Sequence, residues 1–212
     1  TTDMGLSLFL INGDAPGLDA RPVTTVDPTR KAAQLRFSDT PAILVGLEGD
    51  GERTLRPTLD TAQVMLAAEQ VGVAAYCLEM ATAYACQRHQ FSQPIGSFQA
   101  IKHKLANVLL EMEAATSAAM YAAFAADHRP NELAEVACIA AVTCGEAALL
   151  AASENVQVHG GIGMTWEHPA HLYLKRATAS RILFGDPQRQ LERLGELTGI
   201  AGEPSFNFAV NG

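Results

Sequence analysis

The chain has 212 residues, of which 48% are hydrophobic and 18% charged, with a net charge of −8. That balance is too apolar for intrinsic disorder and too acidic for non-specific affinity to nucleic acid or an anionic membrane, which needs a basic patch. Aromatic residues are scarce at 6% while alanine is abundant, a composition that favours closely packed helices.

The opening residues, TTDMGLSLFL, have no basic flank, and the apolar stretch stops at Asn12-Gly13-Asp14, so no secretory leader is expected. Nowhere do about 18 apolar residues run without a charge, and no membrane insertion is expected. Residues 5–12 (GLSLFLIN) and 31–37 (KAAQLRF) are short apolar or alternating runs separated by Pro/Gly/Asp turns. Ala33, Leu35 and Phe37 alternate with polar neighbours, the period of a half-buried strand. Residues 1–57 therefore form part of a β-domain.

From about residue 58 the pattern turns helical. Asp60 with Gln63 reads as a capping box opening a helix that runs to about Gln87. Ser97 can cap a second helix through Asp127, closed by His128-Arg129-Pro130. Asn131 caps a third, which the glycines at 160–163 terminate. Pro169 opens a fourth, ending near Leu183, and Asp186-Pro187 caps a short fifth, to about Thr198. Three helices of about 30 residues would each be roughly 45 Å long. The expected fold is mainly α: an up-and-down long-helix bundle over residues 58–199, preceded by a partial β-domain and followed by a loose tail at 200–212.

Cys77, Cys86, Cys138 and Cys144 fall inside the helical segments with no metal-ligand spacing. They read as buried free thiols of a reducing, cytoplasmic setting. His168 and His171 lack the acidic partner that a metal site would need. Lys102, His103 and Lys104 read as a solvated helix face.

Three short segments carry residue types suited to a ligand. In QRHQFSQPIGSFQ (87–99), Arg88 can favour a helix C-terminus or grip a phosphate with its planar fork. Gln90 and Gln99 add amides, and Phe91 and Phe98 add flat apolar surface; an ordinary helical hairpin is the plainer alternative. In QVHGGIGMTWEHP (157–169), adjacent glycines allow close approach to backbone N–H groups, though helices commonly end at glycine. In LFGDP (183–187), Asp186 reads first as an N-cap and second as a ligand contact.

In order and spacing these elements resemble the acyl-CoA dehydrogenase family. RHQFSQPIGSFQAIKHKLA and QVHGGIGMTWEHPAHLYLKRA, about sixty residues apart, carry the likeness. Residues 58–199 look like the family's C-terminal helical domain, and GLSLFLINGDAPGL with RFSDTPAILVG looks like the second half of its middle β-domain. The family's N-terminal helical domain has no counterpart within these 212 residues.

The resemblance implies α,β-desaturation of an acyl-CoA in lipid metabolism, with FAD bound between subunits of a homo- or heterotetramer and a possible electron-acceptor protein. It places Arg88, Gln90, Phe91 and Gln99 against the adenosine and pyrophosphate of FAD, with Gln157, Val158, His159, Gly160 and Gly161 as a second strip. Asp186 and Gln188 are placed at FAD after the catalytic loop, and Gly185 at the substrate. Asp186 stands where the family usually has threonine, and its carboxylate would repel a pyrophosphate.

The family's base is a glutamate just before the loop glycine, where this chain has Phe184. The alternative position, near the start of the first long helix, is Ala62. Asp60, Glu69, Glu79 and Glu167 are the other carboxylates considered. Two expectations follow: a dehydrogenase with its base elsewhere, or a catalytically silent subunit that completes FAD sites beside an active homologue. A helical scaffold without flavin has no need of Arg88, Gln99 and residues 157–161. Small residues at Ala67, Ala68, Gly72, Ala74 and Ala75 fit either a bulky acyl group or alanine-rich helix packing.

Overall fold

The computed structural model describes residues 5–200; the expected loose tail lies outside the described residues from 201 onward. Residues 5–50 hold four short strands in two antiparallel pairs. β1 (Leu8–Leu10) pairs with β4 (Ile43–Val45), and β2 (Leu18–Val23) pairs with β3 (Ala32–Phe37). Leu18 stands opposite Phe37 and Ala20 opposite Leu35. The alternation at 33–37 predicts one buried face, yet every residue of β3 is exposed. A two-stranded ladder has no second layer to cover it.

α1 (Gly51–Gln87) starts nine residues before the expected cap and runs through Pro57. The Pro57 ring removes one N–H from the helical ladder but does not end the helix. Asp60 is therefore not an N-cap. It lies inside α1, almost fully buried, and its carboxylate receives Arg193 from the far end of the chain. A hairpin of β5 (His89–Gln90) and β6 (Gln93–Pro94) and a tight 3-10 turn at Ile95–Ser97 lead into α2 (Gln99–His128). Ser97 Oγ donates to the Pro94 carbonyl rather than capping α2.

α3 (Leu133–His159) begins two residues after Asn131 and makes no side-chain cap bond. α4 (Ala170–Ser180) follows Pro169, and α5 (Pro187–Thr198) starts as expected, with Asp186 Oδ1 accepting the Arg189 N–H at 2.9 Å. Its other end is closed by Gly199 in the left-handed conformation.

α3 is the hub and touches α1, α2, α4 and α5. The core between them is largely alanine: Ala67, Ala115, Ala122, Ala137 and Ala140 are completely buried in one cluster, and Ala74, Ala148 and Ala152 in the next. Small side chains let long helices approach closely, which explains Ala67 and Ala74, whereas Ala68, Gly72 and Ala75 lie on the exposed side of α1. α1 and the stretch Leu133–Met164 reach the length and mean hydropathy of a membrane span, contrary to the expectation from charge spacing. Half of the apolar window in 133–164 and 39% of that in α1 are buried inside this fold. Alanine packing accounts for that part of the apolarity.

Two features tie the strand segment to the helices. The Gly51 N–H donates to the Leu6 carbonyl at 2.7 Å. A cluster of ion pairs then joins residues 27–30 to α1 and α4. Arg30 spans both oxygens of Glu69 at 2.9 and 3.0 Å and donates to Ser180 Oγ at 3.2 Å. Arg176 lies 3.4 Å from Asp27 and 3.8 Å from Glu69. Burial would push the Asp27 carboxyl up, but hydrogen bonds from Thr29 and the charges of Arg176 and Arg30 hold it below the ordinary carboxylate range.

The thiols divide. Cys77, Cys138 and Cys144 are buried, and burial pushes the Cys77 and Cys144 thiols up to about 12. Cys86 is exposed, against the expectation of four buried thiols. Lys104 is not a merely solvated cation either, because it holds both oxygens of Glu154 at 2.7 Å and links α2 to α3.

Candidate functional site

The residues singled out in the sequence gather at two places along the bundle. The first is the C-terminal end of α1. Arg88 caps that helix, donating its N–H to the Tyr84 carbonyl and accepting the Ile95 N–H on its own carbonyl. The chain then reverses through Phe91 and Ser92, both with positive φ (53° and 67°). This turn aims the Phe91 ring outward, 87% exposed, with the Phe98 ring edge-on at 6.1 Å. Gln90 and Gln99 are exposed beside it. Among the described residues Arg88 has no carboxylate partner, so its guanidinium is open to an anion.

A small apolar core fastens the second strip to this loop, because Val158 packs with Ala81 and Ala85, and Ile95 of the 3-10 turn packs on the same cluster. Gln157, Gly160 and Gly161 are exposed, while Val158 and His159 are buried behind them. The His159 ring stacks on Tyr84 (centroids 4.3 Å apart) and meets His168 at 4.2 Å, and its Nδ1–H donates to the Asn155 carbonyl at 2.8 Å. Burial, with the His159 and His171 charges, lowers the pKa of His168 below its ordinary value. Gly160 ends α3 with φ of +66°, and a Cβ added at Gly160 or Gly161 would meet nothing within 4 Å. The main chain there is bare to any ligand that approaches.

The second place is the loop between α4 and α5. Gly185 has φ of +118°, and a Cβ on it would come within 2.9 Å of Gln190 Nε2. That amide is buried, and it donates to the Phe184 carbonyl at 3.0 Å and to Gln63 Oε1 at 3.4 Å. Gln190 thus clamps the loop onto α1. Nothing in the sequence marked it, because its partners are a carbonyl and an amide distant in the chain. Gln63, next to Ala62, shares with Phe184 the wall of a cavity of about 530 Å³. Asp186 is spent as an N-cap, and Gln188 donates to Glu192 at 2.9 Å.

Carboxylates around this loop are mostly committed. Asp60 receives Arg193 bidentately at 2.5 and 2.9 Å, and the same contact raises the Arg193 pKa. Glu69 is held by Arg30, and Glu146 takes Arg181 at 2.6 Å. Glu79 lies 17 residues beyond Ala62, about 25 Å along α1. Glu167 sits beside the glycine strip. Glu196, in the wall of the 530 Å³ cavity, has no ion pair among the described residues.

The two places do not meet. Gln63 and Arg88 are 25 residues apart on one helix, about 37 Å at 1.5 Å per residue. No His/Cys/Asp/Glu cluster fit for a metal occurs among the described residues.

Residues 49–197 match the model of the acyl-CoA dehydrogenase C-terminal domain. The acyl-CoA dehydrogenase IpdE2 of Mycobacterium tuberculosis is 41% identical over 176 residues, covering 82% of this chain and 50% of that relative. Among solved structures, the steroid ACAD Tcur3481-Tcur3483 superposes with a TM-score of 0.83 at 32% identity, covering 92% of this chain and 52% of the other. Butyryl-CoA dehydrogenase from Megasphaera elsdenii gives 0.86 at 28% identity, covering 92% and 52%. The chain spans about half the length of each of these relatives.

Proposed function

This chain belongs to the acyl-CoA dehydrogenase family, and from that premise we propose that it serves flavin-dependent α,β-desaturation of an acyl-CoA by completing FAD sites rather than by supplying the base. The observation that carries this reading is the loop at Phe184. It has the shape of a site, with Gly185 at positive φ and Gln190 clamping the turn, but Phe184 is no carboxylate and the loop's own carboxylate, Asp186, is committed as the α5 N-cap. Asp60, in the wall of the same cavity, is ion-paired with Arg193, and Glu69, farther along α1, with Arg30.

The residues fit FAD on their own geometry. An exposed arginine without a carboxylate partner among the described residues, an exposed aromatic ring and two bare glycines make a cradle for a pyrophosphate and an adenine. Bound there, FAD would supply the acceptor for the hydride leaving the β-carbon. Arg88 would hold phosphate oxygens, Gln90 and Gln99 would give amides, and Phe91 would offer a stacking face. Gly185 would lie against the thioester. Its own N–H donates to the Ile182 carbonyl at 3.3 Å, so the donor that stabilises the developing charge there would have to be released from that turn or come from a neighbouring group. The 37 Å between the two places supports a cofactor shared across a subunit boundary, each chain giving its Arg88 end to one FAD and its Gly185 end to another. A homo- or heterotetramer, an electron-acceptor protein and a cytoplasmic location complete the proposal; free thiols at all four cysteines suit the last. The paired name of the steroid ACAD supports a chain that works beside a second one.

A second reading is favoured by Glu196, whose place in the cavity wall with Phe184 makes it a candidate base of the chain's own. Anaerobic addition of acyl-CoA to the flavin-loaded protein separates the two. The site-completing reading expects the flavin of the homomer to stay oxidised, and Phe184→Glu to raise bleaching by about 10²–10⁴-fold. Rapid bleaching by the unaltered homomer, abolished in Glu196→Gln, would establish the second.

A further inference from the structure

Beside the junction of strands and helices lies a cavity of about 430 Å³, lined by Thr29, Glu69, Val73, Leu172, Tyr173 and Arg176, among others. Its wall is apolar except at one edge, and the polar edge is oddly built. Arg176 keeps only 23% of its side chain exposed, and it lies 3.4 Å from Asp27 and 3.8 Å from Glu69. Both separations are ion pairs, and neither is a hydrogen bond. Arg176 makes no hydrogen bond to any described residue, so its guanidinium donors are unspent. The buried Asp27 Oδ2 beside it is likewise without a hydrogen-bond partner. Arg30, by contrast, spends its donors on Glu69 and Ser180. A half-buried guanidinium with idle donors at the edge of an apolar cavity is suited to an oxygen acceptor on a ligand.

The position of the cavity gives that ligand its length. Ala62, Met65, Glu69 and Val73 follow one another at spacings of three and four, which places them on one face of α1. Glu69 and Val73 lie seven and eleven residues beyond Ala62, about 10 and 16 Å along the axis. We propose that this cavity receives the far end of the acyl group and that Arg176 selects acyl chains carrying a hydroxyl, keto or carboxylate oxygen there. The inference rests on the acyl-CoA reading above. An extended chain advances about 1.2 Å per bond, so the selected oxygen stands roughly eight to thirteen bonds from the part of the ligand that lies beside Ala62.

The test compares dodecanoyl-CoA with ω-hydroxydodecanoyl-CoA, measuring binding to the oxidised, flavin-loaded protein in its native assembly by titration calorimetry. The hydroxylated ligand should bind about tenfold more tightly. Arg176→Met should abolish that preference while leaving dodecanoyl-CoA affinity within about twofold. Should Arg176→Met fail to fold, with Asp27 left buried and unpaired, Val73→Trp serves instead. It fills the cavity while leaving both partners of every ion pair in the sequence, and should weaken both long ligands tenfold or more but not butyryl-CoA. Equal affinity for the two dodecanoyl ligands, or unchanged binding in Val73→Trp, overturns this inference and leaves the acyl-CoA reading standing. If butyryl-CoA and both long ligands all fail to bind, the acyl-CoA reading falls and takes the inference with it.

Discussion

Replacing Asp60 by asparagine should destabilise this fold strongly. Asp60 is 4% exposed, and its two oxygens hold the two terminal nitrogens of Arg193 at 2.5 and 2.9 Å. The pair fixes α5 against α1 across 133 residues of chain. The asparagine side chain would keep the volume but leave the Arg193 charge, only 19% exposed, without its counter-ion. Breaking one side of a buried pair costs about 3–5 kcal/mol, a large part of a total stability of roughly 5–15 kcal/mol. For a chain of this size each kcal/mol moves the melting temperature by about 2–4 °C, so the midpoint of the 222 nm dichroism should fall by about 6–20 °C. The exposed pair Arg56–Glu52 is the control, and Glu52→Gln should shift the midpoint by less than about 2 °C. Asp60→Leu combined with Arg193→Met removes both charges and should recover most of the loss. A single Asp60→Asn shift no larger than the control's would show that the pair does not hold α5.

Arg88→Ala removes the one exposed guanidinium of the first cradle, and flavin affinity by fluorescence titration should fall about tenfold or more, a charge-assisted contact being worth roughly 1.5–3 kcal/mol. Gly185→Ala forces a Cβ into positive φ and to 2.9 Å from Gln190 Nε2; urea unfolding should show a loss of about 1–3 kcal/mol. Gly72→Ala, with open space around its Cβ on exposed α1, should instead gain about 0.5–1 kcal/mol. His168 is held neutral by burial and its histidine neighbours, so its contribution is fully present above the ordinary histidine pKa near 6.5 and is lost as pH falls through the lowered native value. Stability measured from pH 7 down to pH 5 should therefore decline less steeply in His168→Gln.

Helix periodicity and breakers were legible in the sequence wherever the signal was local. The glycines after His159 end α3, and Asp186-Pro187 opens α5 with the expected cap bond. Asp60 shows the failure of local reading. A carboxylate three residues before a glutamine carries the signature of a helix start, whereas α1 begins at Gly51 and the buried Asp60 carboxylate is satisfied by Arg193, a contact made only by folding. The same holds for Lys104 with Glu154 and for Asp27 with Arg176, whose partners are 50 and 149 positions away. The alternation in β3 marked a strand correctly, but the layer that would bury one face of it is not supplied by the described residues. At the candidate site, the exposed Arg88, Phe91 and glycines were legible as residue types. Gln190 was not, since an amide in a polar helix gives no sign that it will turn inward to bind the Phe184 carbonyl.

The distance between the two places constrains how this protein can hold a cofactor. Arg88 and the glycine strip stand at one end of α1, while Gly185 and Phe184 stand over Gln63 near the other, about 37 Å away, longer than an extended dinucleotide. On the proposed reading a monomer would offer FAD only half of its contacts, and the full set would exist only where the Arg88 end of one chain meets the Gly185 end of another. Flavin binding and assembly would then be one linked equilibrium, in which each stabilises the other by mass action. A chain without a base of its own would still have a role in such an arrangement, because its Arg88 end would serve a neighbour's flavin whatever stands at residue 184. Phenylalanine at that position is compatible with Arg88, Gln99 and the bare glycines all being kept, since the two ends of α1 would answer to different active sites.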